Sequence, residues 1–250
     1  MRFPRKAMIL AAGLGTRLRP LTDATPKALL EIGGRPMIEY PLCMLAAAGV
    51  EEIVVNLHHL GEAIREALGD GSRYGVRIRY SPEDPILDTG GAIAKARPLL
   101  GDEPFALANC DALLDPDLGA LWQFHVERRA LATLVVRADA EAERYGALDC
   151  DDAGRVRRFL GKPVGVSDPL ERRMFCGVHV LSAEIFASLP RGGVFSITRD
   201  VYAALVVRGE ALYGFDYGGY WRDLGTAPSL ATARADVAGA TFRPAYLKSY

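Results

Sequence analysis

The 250-residue chain is half hydrophobic and carries a formal net charge of −1, so it can bury a sizeable core, and nothing over its whole surface favours a nucleic acid or an anionic membrane as partner. Its four cysteines, Cys43, Cys110, Cys150 and Cys176, are far apart, with no Cys-x-x-Cys and no Cys/His pair at zinc spacing, which reads as reduced packing thiols in a cytoplasmic protein. No apolar run is long enough to span a bilayer, and the opening MRFPRKAMILAAGLG turns to glycine too soon for a signal peptide, so one soluble domain is expected.

Ala7 to Ala11 is an apolar run of strand length that breaks into Gly13-Leu14-Gly15-Thr16-Arg17. Two glycines allow backbone conformations closed to other residues, and such a loop gathers successive N–H groups into one concavity. Arg17, Arg19 and Lys27 set positive charge around it, which suits a triphosphate. A dinucleotide fingerprint would need a third glycine where Leu18 stands, and a Walker loop would need Gly-Lys-Ser/Thr, which is absent.

Leu29 to Ile32 leads to a Gly33-Gly34 turn, and Pro36 to Ala48 reads as a helix closed by Gly49, starting late or kinked because of Pro41. Glu52 to Leu57 is a β-branched strand, Leu60 to Leu68 a helix closed by Gly69, and Arg77 to Ser81 another strand. Pro82 to Asp88 is a loop that empties into Thr89-Gly90-Gly91 and a helix over Ala92 to Leu99. Phe105 to Asn109 is a strand ending in Cys110-Asp111, followed by the helix Leu118 to Arg128 and the strand Ala132 to Arg137. This alternation predicts a mostly parallel sheet with helices on both faces, in which ligands bind beyond the carboxyl ends of the strands. The glycine loop and Asp111 both lie at such ends.

After Arg137 the pattern changes. Tyr145 to Cys150 and Arg155 to Leu160 flank Asp151-Asp152-Ala153-Gly154 as a hairpin. Gly165 to Arg173 reads as a loop, Phe175 to Leu181 as a strand, and a helix starts at Ala183. Ile197 to Val207 is helical, Leu212 to Tyr217 extended, Gly218 to Asp223 a turn and short strand, and Ala227 to Asp236 an alanine-rich helix. One domain is expected, with residues 1–137 as its first half and residues 138–237 reading as a substrate-binding lobe added to the same sheet.

Local sequence leaves several residues open. Asp111, at the end of an apolar strand, fits a cap or a solvated loop residue as well as a ligand, and Asp223 fits an ion pair with Arg222 as well as a ligand. Thr89 fits a helix cap. His58, His59, His125 and His179 show no metal spacing and read as surface or core residues.

The run Leu10-Ala11-Ala12-Gly13-Leu14-Gly15-Thr16-Arg17-Leu18-Arg19-Pro20-Leu21-Thr22, followed by Pro26-Lys27, resembles the signature of the sugar-1-phosphate nucleotidyltransferases. Asn109-Cys110-Asp111 resembles that family's strand-end Gly-Asp element, and Trp221 to Thr226 its W-x-D-x-G-T element. The resemblance covers about Ala7 to Val237. It implies a Rossmann-like three-layer fold with a central mixed, mostly parallel sheet and a small sugar-binding lobe. The implied reaction is attack of a sugar 1-phosphate on the α-phosphorus of an NTP, with pyrophosphate leaving. Both reactants are anions, so alignment and charge neutralisation must carry the catalysis.

The same resemblance implies Mg²⁺ held by Asp111 and Asp223, with Arg17 and Lys27 neutralising phosphate charge; Mg²⁺ suits one or two carboxylates plus water and phosphate oxygens. Nucleotide contacts are implied at Leu10, Ala11, Ala12, Gly13, Gly15, Thr16, Arg17, Glu83, Thr89, Gly90 and Asn109. An ionised Glu83 can only accept hydrogen bonds, which suits guanine or uracil, so GTP or UTP is the expected donor. Lys27, Tyr145, Gly146, Gly161, Lys162 and Cys176 are implied at the sugar phosphate, with Gly161 standing where the family often has glutamate and Cys110 where it has glycine.

Ala46 to Val50 and Gly69 to Gly75 look most like N-acetylmuramate-1-phosphate uridylyltransferases. Tyr145-Gly146 and Lys162-Pro163 look more like mannose- or heptose-1-phosphate guanylyltransferases. Homo-oligomers are common in the family, and the length leaves no room for the carboxy-terminal β-helix of bifunctional relatives. A glycosyltransferase would commonly show Asp-x-Asp where this chain has Asp111-Ala112-Leu113, and a silent nucleotide-sugar sensor need not keep Arg17, Lys27, Asp111 and Asp223.

Overall fold

The computed structural model of the protein describes residues 2–163 and 169–249. Strand β1 (Lys6–Leu10) runs into the glycine loop, and 3-10 turns at Thr16–Leu18 and Lys27–Leu29 lead to the small hairpin of β2 (Glu31–Ile32) and β3 (Arg35–Pro36). Then come α1 (Glu39–Ala47), β4 (Glu52–Leu57), α2 (Gly61–Leu68), β5 (Arg77–Pro82), α3 (Asp88–Leu100) and β6 (Phe105–Asn109). They are followed by β7 (Ala112–Leu114), α4 (Leu118–Glu127), β8 (Ala132–Arg137), the one-turn α5 (Ala142–Tyr145), β9 (Ala147–Cys150), β10 (Val156–Phe159) and β11 (Glu171–Leu181). A 3-10 stretch at Ala183–Ser188 and a π-helical turn at Ile197–Tyr202 precede α6 (Ala203–Val207), β12 (Leu212–Asp216), β13 (Trp221–Asp223) and α7 (Ala227–Ala238).

The fold is α/β with a mixed central sheet, as the family resemblance implies. Its residues fall into two compact units interleaved along the chain. The first comprises Arg5–Ile86, Ala108–Asp115 and Gly219–Tyr250. There β1, β4 and β5 run parallel, with Ala7 opposite Ile53 and Ile53 opposite Ile78. Ala7, Met8, Ile9, Ile53, Val54 and Val55 are fully buried, which is why these strands read as continuous apolar runs rather than alternating ones. Pro41 is the third residue of α1, where a backbone N–H has no partner within the helix, so the proline costs no hydrogen bond and the helix starts late.

The second unit comprises Leu87–Leu107, Pro116–Gly218 and a short leading piece that ends at Pro4. Its β8 lies between β11, which is antiparallel to it, and β12, which is parallel. β11 also pairs with β9, and β9 with β10. Leu134, Val178, Val180 and Leu205 close its core.

Four elements differ from the sequence reading, and the contacts around the first two give the physical reason. Helix α3 begins at Asp88 rather than Ala92, although glycines are poor helix formers. The amides of Gly90 and Gly91 donate to the Phe195 carbonyl oxygen at 2.9 and 3.2 Å. A Cβ on Gly90 would come within 2.4 Å of the Phe195 ring, and one on Gly91 within 2.4 Å of the Gly193 carbonyl oxygen. The two glycines are therefore required by close packing of 193–195, and tertiary contact overrides their low propensity.

The expected loop Gly165 to Arg173 lies outside the described residues over 164–168, and Glu171, Arg172 and Arg173 belong to β11. Charge made that stretch read as loop. Instead Arg172 pairs with Asp149 of β9 at 2.9 Å and Arg173 with Asp216 of β12 at 2.6 Å, so acidic residues of other strands balance the basic ones. Finally, Tyr145 ends α5 instead of starting a strand, and the stretch from Ala183 is 3-10 rather than α-helical.

Candidate active site

The glycine loop is shaped by what packs behind it. Gly15 has φ +63°, and a Cβ there would lie 2.9 Å from Cγ2 of Thr22 and 3.1 Å from Cβ of Lys27. The Thr22 hydroxyl donates to the Gly15 carbonyl oxygen at 2.8 Å. Pro-Leu-Thr and Pro-Lys thus accompany the glycines because Thr22 and the Lys27 stem form the wall on which the loop folds. Gly13 differs: a Cβ at that position would meet nothing within 4 Å. Packing within the protein gives no reason for glycine there. Leu10 is half-buried, Ala11 and Ala12 are buried, and Thr16 and Arg17 are exposed beyond them.

A second construction brings distant carboxylates together. β7 starts one residue after Asp111, β13 ends on Asp223, and the two strands pair antiparallel with Asp223 opposite Ala112. The Leu224 amide donates to the Asp111 carbonyl oxygen at 2.8 Å, continuing the ladder past its last registered pair. β7 escapes sequence reading because three residues show no period, and only Cys110 and Asp111 separate them from β6.

Lys27 and Arg17 complete the cluster. The Lys27 ammonium donates to Oδ2 of Asp111, with side-chain exposures of 8% for Lys27 and 29% for Asp111. Burial works to lower the pKa of Lys27, but the charges of Asp111, Cys110 and Asp223 and the hydrogen bond to Asp111 outweigh it, so the ammonium sits above its ordinary value. Asp223 is pushed above the usual carboxylate range by burial and then by the charge of Asp111, against the opposing pull of the Gly225 amide, Lys27 and Arg17. The Gly225 N–H donates to its Oδ2 at 2.9 Å. The Arg17 guanidinium occupies the space beside Gly225, where a Cβ would lie 2.6 Å from Arg17 Nη2 and 3.0 Å from Asp223 Oδ2.

Asp223, whose ionisation the neighbouring Asp111 disfavours, thus stands with a second carboxylate and two cations in one cluster; two carboxylates are a donor set that could hold a divalent cation. Cys110 is buried, and burial pushes its thiol to about 12. It remains a neutral packing residue whose amide donates to the Leu10 carbonyl oxygen at 3.2 Å.

Asn56 belongs to the same region and was not singled out in the sequence. Buried at the end of β4, it accepts the Ala11 N–H at 2.7 Å through Oδ1 and donates through Nδ2 to Glu83 at 2.7 Å. A backbone N–H can only donate, so the orientation of this amide is fixed and Glu83 must be the acceptor. Glu83 is itself buried, and its amide donates to the Leu57 carbonyl oxygen at 2.7 Å. An asparagine inside the apolar run Glu52 to Leu57 was the available signal.

In the other unit, Thr89 accepts the Ile197 amide at 2.9 Å through Oγ1, and Asp88, at φ +58°, pairs with Arg199 at 3.3 Å. Gly146 takes φ +102° after α5, and Gly161 takes φ +78° in the turn after β10, with Lys162 exposed beside it. Cys176 is 1% exposed in β11 and donates to the Met174 carbonyl oxygen at 3.8 Å. The structure thus gathers Arg17, Lys27, Asp111 and Asp223 in one unit with the glycine loop, Glu83 and Asn109. Thr89, Gly90, Tyr145, Gly146, Gly161, Lys162 and Cys176 belong to the other unit.

Residues 6–239 match the family model described as Nucleotidyl transferase. The chain is 40% identical to the N-acetylmuramate alpha-1-phosphate uridylyltransferase of Neisseria meningitidis serogroup B, over 94% of this chain and 99% of that protein. It is 34% identical to the mannose-1-phosphate guanylyltransferase of Mycobacterium tuberculosis, over 92% of this chain but only 64% of that protein. Against the UTP--glucose-1-phosphate uridylyltransferase of Synechocystis it is again 34% identical, over 89% of this chain and 61% of the relative.

Among solved structures, HddC from Yersinia pseudotuberculosis superposes with a TM-score of 0.76 at 23% identity, covering 94% of this chain and 100% of that one. UDP-glucose pyrophosphorylase complexed with UDP-glucose superposes with a TM-score of 0.78 at 21% identity, covering 94% and 99%. These two establish the fold. With a family model matched along almost the whole chain and a relative matched over its full length, the protein belongs to the nucleotidyl transferase family.

Proposed function

We propose that the chain joins a sugar 1-phosphate to UTP, releasing pyrophosphate and a UDP-sugar, with N-acetylmuramate α-1-phosphate as the acceptor. The observation that carries the chemistry is the β7–β13 ladder, which sets Asp111 and Asp223 beside Lys27 and Arg17. Uridine is favoured over guanosine because the uridylyltransferase of Neisseria is matched over 99% of its length and the mycobacterial guanylyltransferase over 64%. Both substrates are soluble phosphates, in keeping with a cytoplasmic reaction, and among the described residues no helix is long and apolar enough to cross a membrane.

In this reading a phosphate oxygen of the sugar attacks the α-phosphorus from the side opposite the leaving pyrophosphate, so one P–O bond forms as another breaks. The glycine loop presents backbone N–H groups to the triphosphate, with Gly13 leaving room for its approach. Arg17 neutralises the pyrophosphate, whose charge grows as it leaves. Lys27 stands beside the acids to receive the incoming phosphate, which otherwise repels both the triphosphate and the carboxylates. Two carboxylates fit Mg²⁺ when water and phosphate oxygens complete its shell; bound by Asp111 and Asp223, it would neutralise phosphate oxygens. Asn56 holds Glu83, the group proposed to read the base edge, and Thr89, Gly90 and Asn109 complete the nucleotide contacts. Tyr145, Gly146, Gly161, Lys162 and Cys176 are proposed at the sugar phosphate.

The test is pyrophosphate release with Mg²⁺ across ATP, GTP, UTP, CTP and dTTP against mannose-, glucose-, N-acetylglucosamine-, N-acetylmuramate- and heptose-1-phosphates. Release with UTP and N-acetylmuramate 1-phosphate, lost in Asp111→Ala, is expected. Release with GTP and a hexose or heptose phosphate overturns the substrate assignment and leaves the reaction intact. Silence throughout overturns the reaction.

A further inference from the structure

The segment after Gly239 lies beyond the stretch matched by the family model, which ends at residue 239. Yet Phe242 and Tyr246 within it are only 4% and 6% exposed, and what they pack against is the ladder that carries the two aspartates. β7 and β13 are three residues each. Two paired strands of that length do not hold their register in water without help from other elements.

The tail supplies that help at one end of both strands. The Tyr246 hydroxyl donates to the Leu114 carbonyl oxygen at 3.1 Å, and the Ala245 amide donates to Oδ2 of Asp115 at 3.1 Å. Just before the partner strand begins, the Phe242 ring stacks on Tyr220, with centroids 4.5 Å apart and planes at 24°. Its centroid also lies 6.2 Å from that of Tyr40 in α1. Tyr220 is held in turn by Asp236 of α7, its hydroxyl donating at 2.6 Å, and Asp236 also accepts from Arg222 of β13 at 3.1 Å. Asp111 precedes the opposite end of β7, three residues from Leu114 or about 10 Å of extended chain. Asp223 faces Ala112 at that same end. The tail therefore grips the ladder away from the acids and leaves the acidic end open.

We propose that Phe242 and Tyr246 are positioning residues that set the spacing of Asp111 and Asp223, and with it the affinity of the acidic pair for a divalent cation. This rests on the reading of those aspartates as cation ligands. Groups that orient ligands from behind typically change metal affinity about 10- to 100-fold when lost. A hydroxyl acting through three residues of strand belongs at the bottom of that range.

The experiment is titration of Mn²⁺ alone into the metal-free protein, read by the electron paramagnetic resonance signal of free Mn²⁺, with a thermal melt of each sample. Wild type, Tyr246→Phe, Phe242→Leu and Asp223→Asn are compared. Tyr246→Phe removes one hydroxyl and keeps the ring, so it is the variant expected to fold. The expected result is one Mn²⁺ bound by wild type, lost in Asp223→Asn, and bound roughly 10-fold more weakly in Tyr246→Phe and Phe242→Leu. A lowered melting temperature with unchanged Mn²⁺ affinity in both tail variants would mean that the tail only stabilises the fold, which overturns the inference and leaves the ligands standing. Failure of wild type to bind Mn²⁺ removes the cation reading of the aspartates, and this inference with it.

Discussion

The Lys27 ammonium, carried on a stem that packs against Gly15 of the glycine loop, is bonded to the Asp111 carboxylate. Removing one member of such a pair strands the other. Lys27→Met is therefore expected to lower turnover by roughly 10²- to 10³-fold, as for other pre-organised charge-stabilising groups, and to lower the melting temperature. The double variant Lys27→Met/Asp111→Asn should recover much of the lost stability and none of the activity. A near-normal rate in Lys27→Met would remove the lysine from the mechanism.

Asp223 is expected to trade stability for activity. Burial and the neighbouring Asp111 hold its pKa above the ordinary carboxylate value. As pH rises above that ordinary value the unfolded chain gives up this proton first while the folded protein keeps it, so folding becomes less favourable through the interval and remains so above it. Asp223→Asn keeps an acceptor for the Gly225 N–H and removes the charge. Its melting temperature at pH 7 should exceed that of wild type without divalent cation, the gap should close below about pH 3.8, and activity should fall by at least roughly 10²-fold. A neutral-pH melting temperature below wild type would show that the carboxylate is not strained.

Much of this arrangement was legible along the chain, and the rest for identifiable reasons was not. Glu52–Leu57, Phe105–Asn109 and Ala132–Arg137 appear at the bounds their apolar runs indicate, because buried strands advertise themselves by composition and by the turns around them. The helical start at Asp88 depends on the Phe195 carbonyl, over a hundred residues away, and the strand at Glu171 on Asp149 and Asp216, neither of them local. The site followed a similar division. Arg17, Lys27, Asp111 and Asp223 were readable as residues, whereas β7 was too short to read and Asn56 was masked by the strand around it.

Gly225 tests whether Arg17 is held or merely nearby. A Cβ at this position would lie 2.6 Å from the guanidinium nitrogen Nη2, and the end of a flexible side chain can yield without unfolding the protein. Gly225→Ala should therefore melt close to wild type, while turnover falls towards that of Arg17→Ala. The double variant should be little worse than Arg17→Ala, because the glycine would act through the arginine. Additive losses would separate the two residues.

His125 sets the acid limit of the second unit. It is 2% exposed on α4, with Nδ1 2.9 Å from the Thr133 hydroxyl and Nε2 3.1 Å from that of Ser182. Ser182 donates to the Ala130 carbonyl oxygen at 2.7 Å, so it can only accept from Nε2–H, which leaves Nδ1 to accept from Thr133. The neutral ring is thus fully satisfied, and burial lowers its pKa to about 4. Between pH 6.5 and about 4 the unfolded chain takes up a proton that the folded protein refuses, so stability present above pH 6.5 is lost as pH falls through that window. At 1.36 kcal/mol per pH unit the loss is roughly 3 kcal/mol. His179, lowered to about 3 by burial, adds to it in the same direction. Urea melts from pH 7.5 to 4.5 should show this fall, and His125→Gln, which can keep one donor and one acceptor, should flatten its slope. An equally steep fall in His125→Gln would assign the acid sensitivity to His179 and the carboxylates instead.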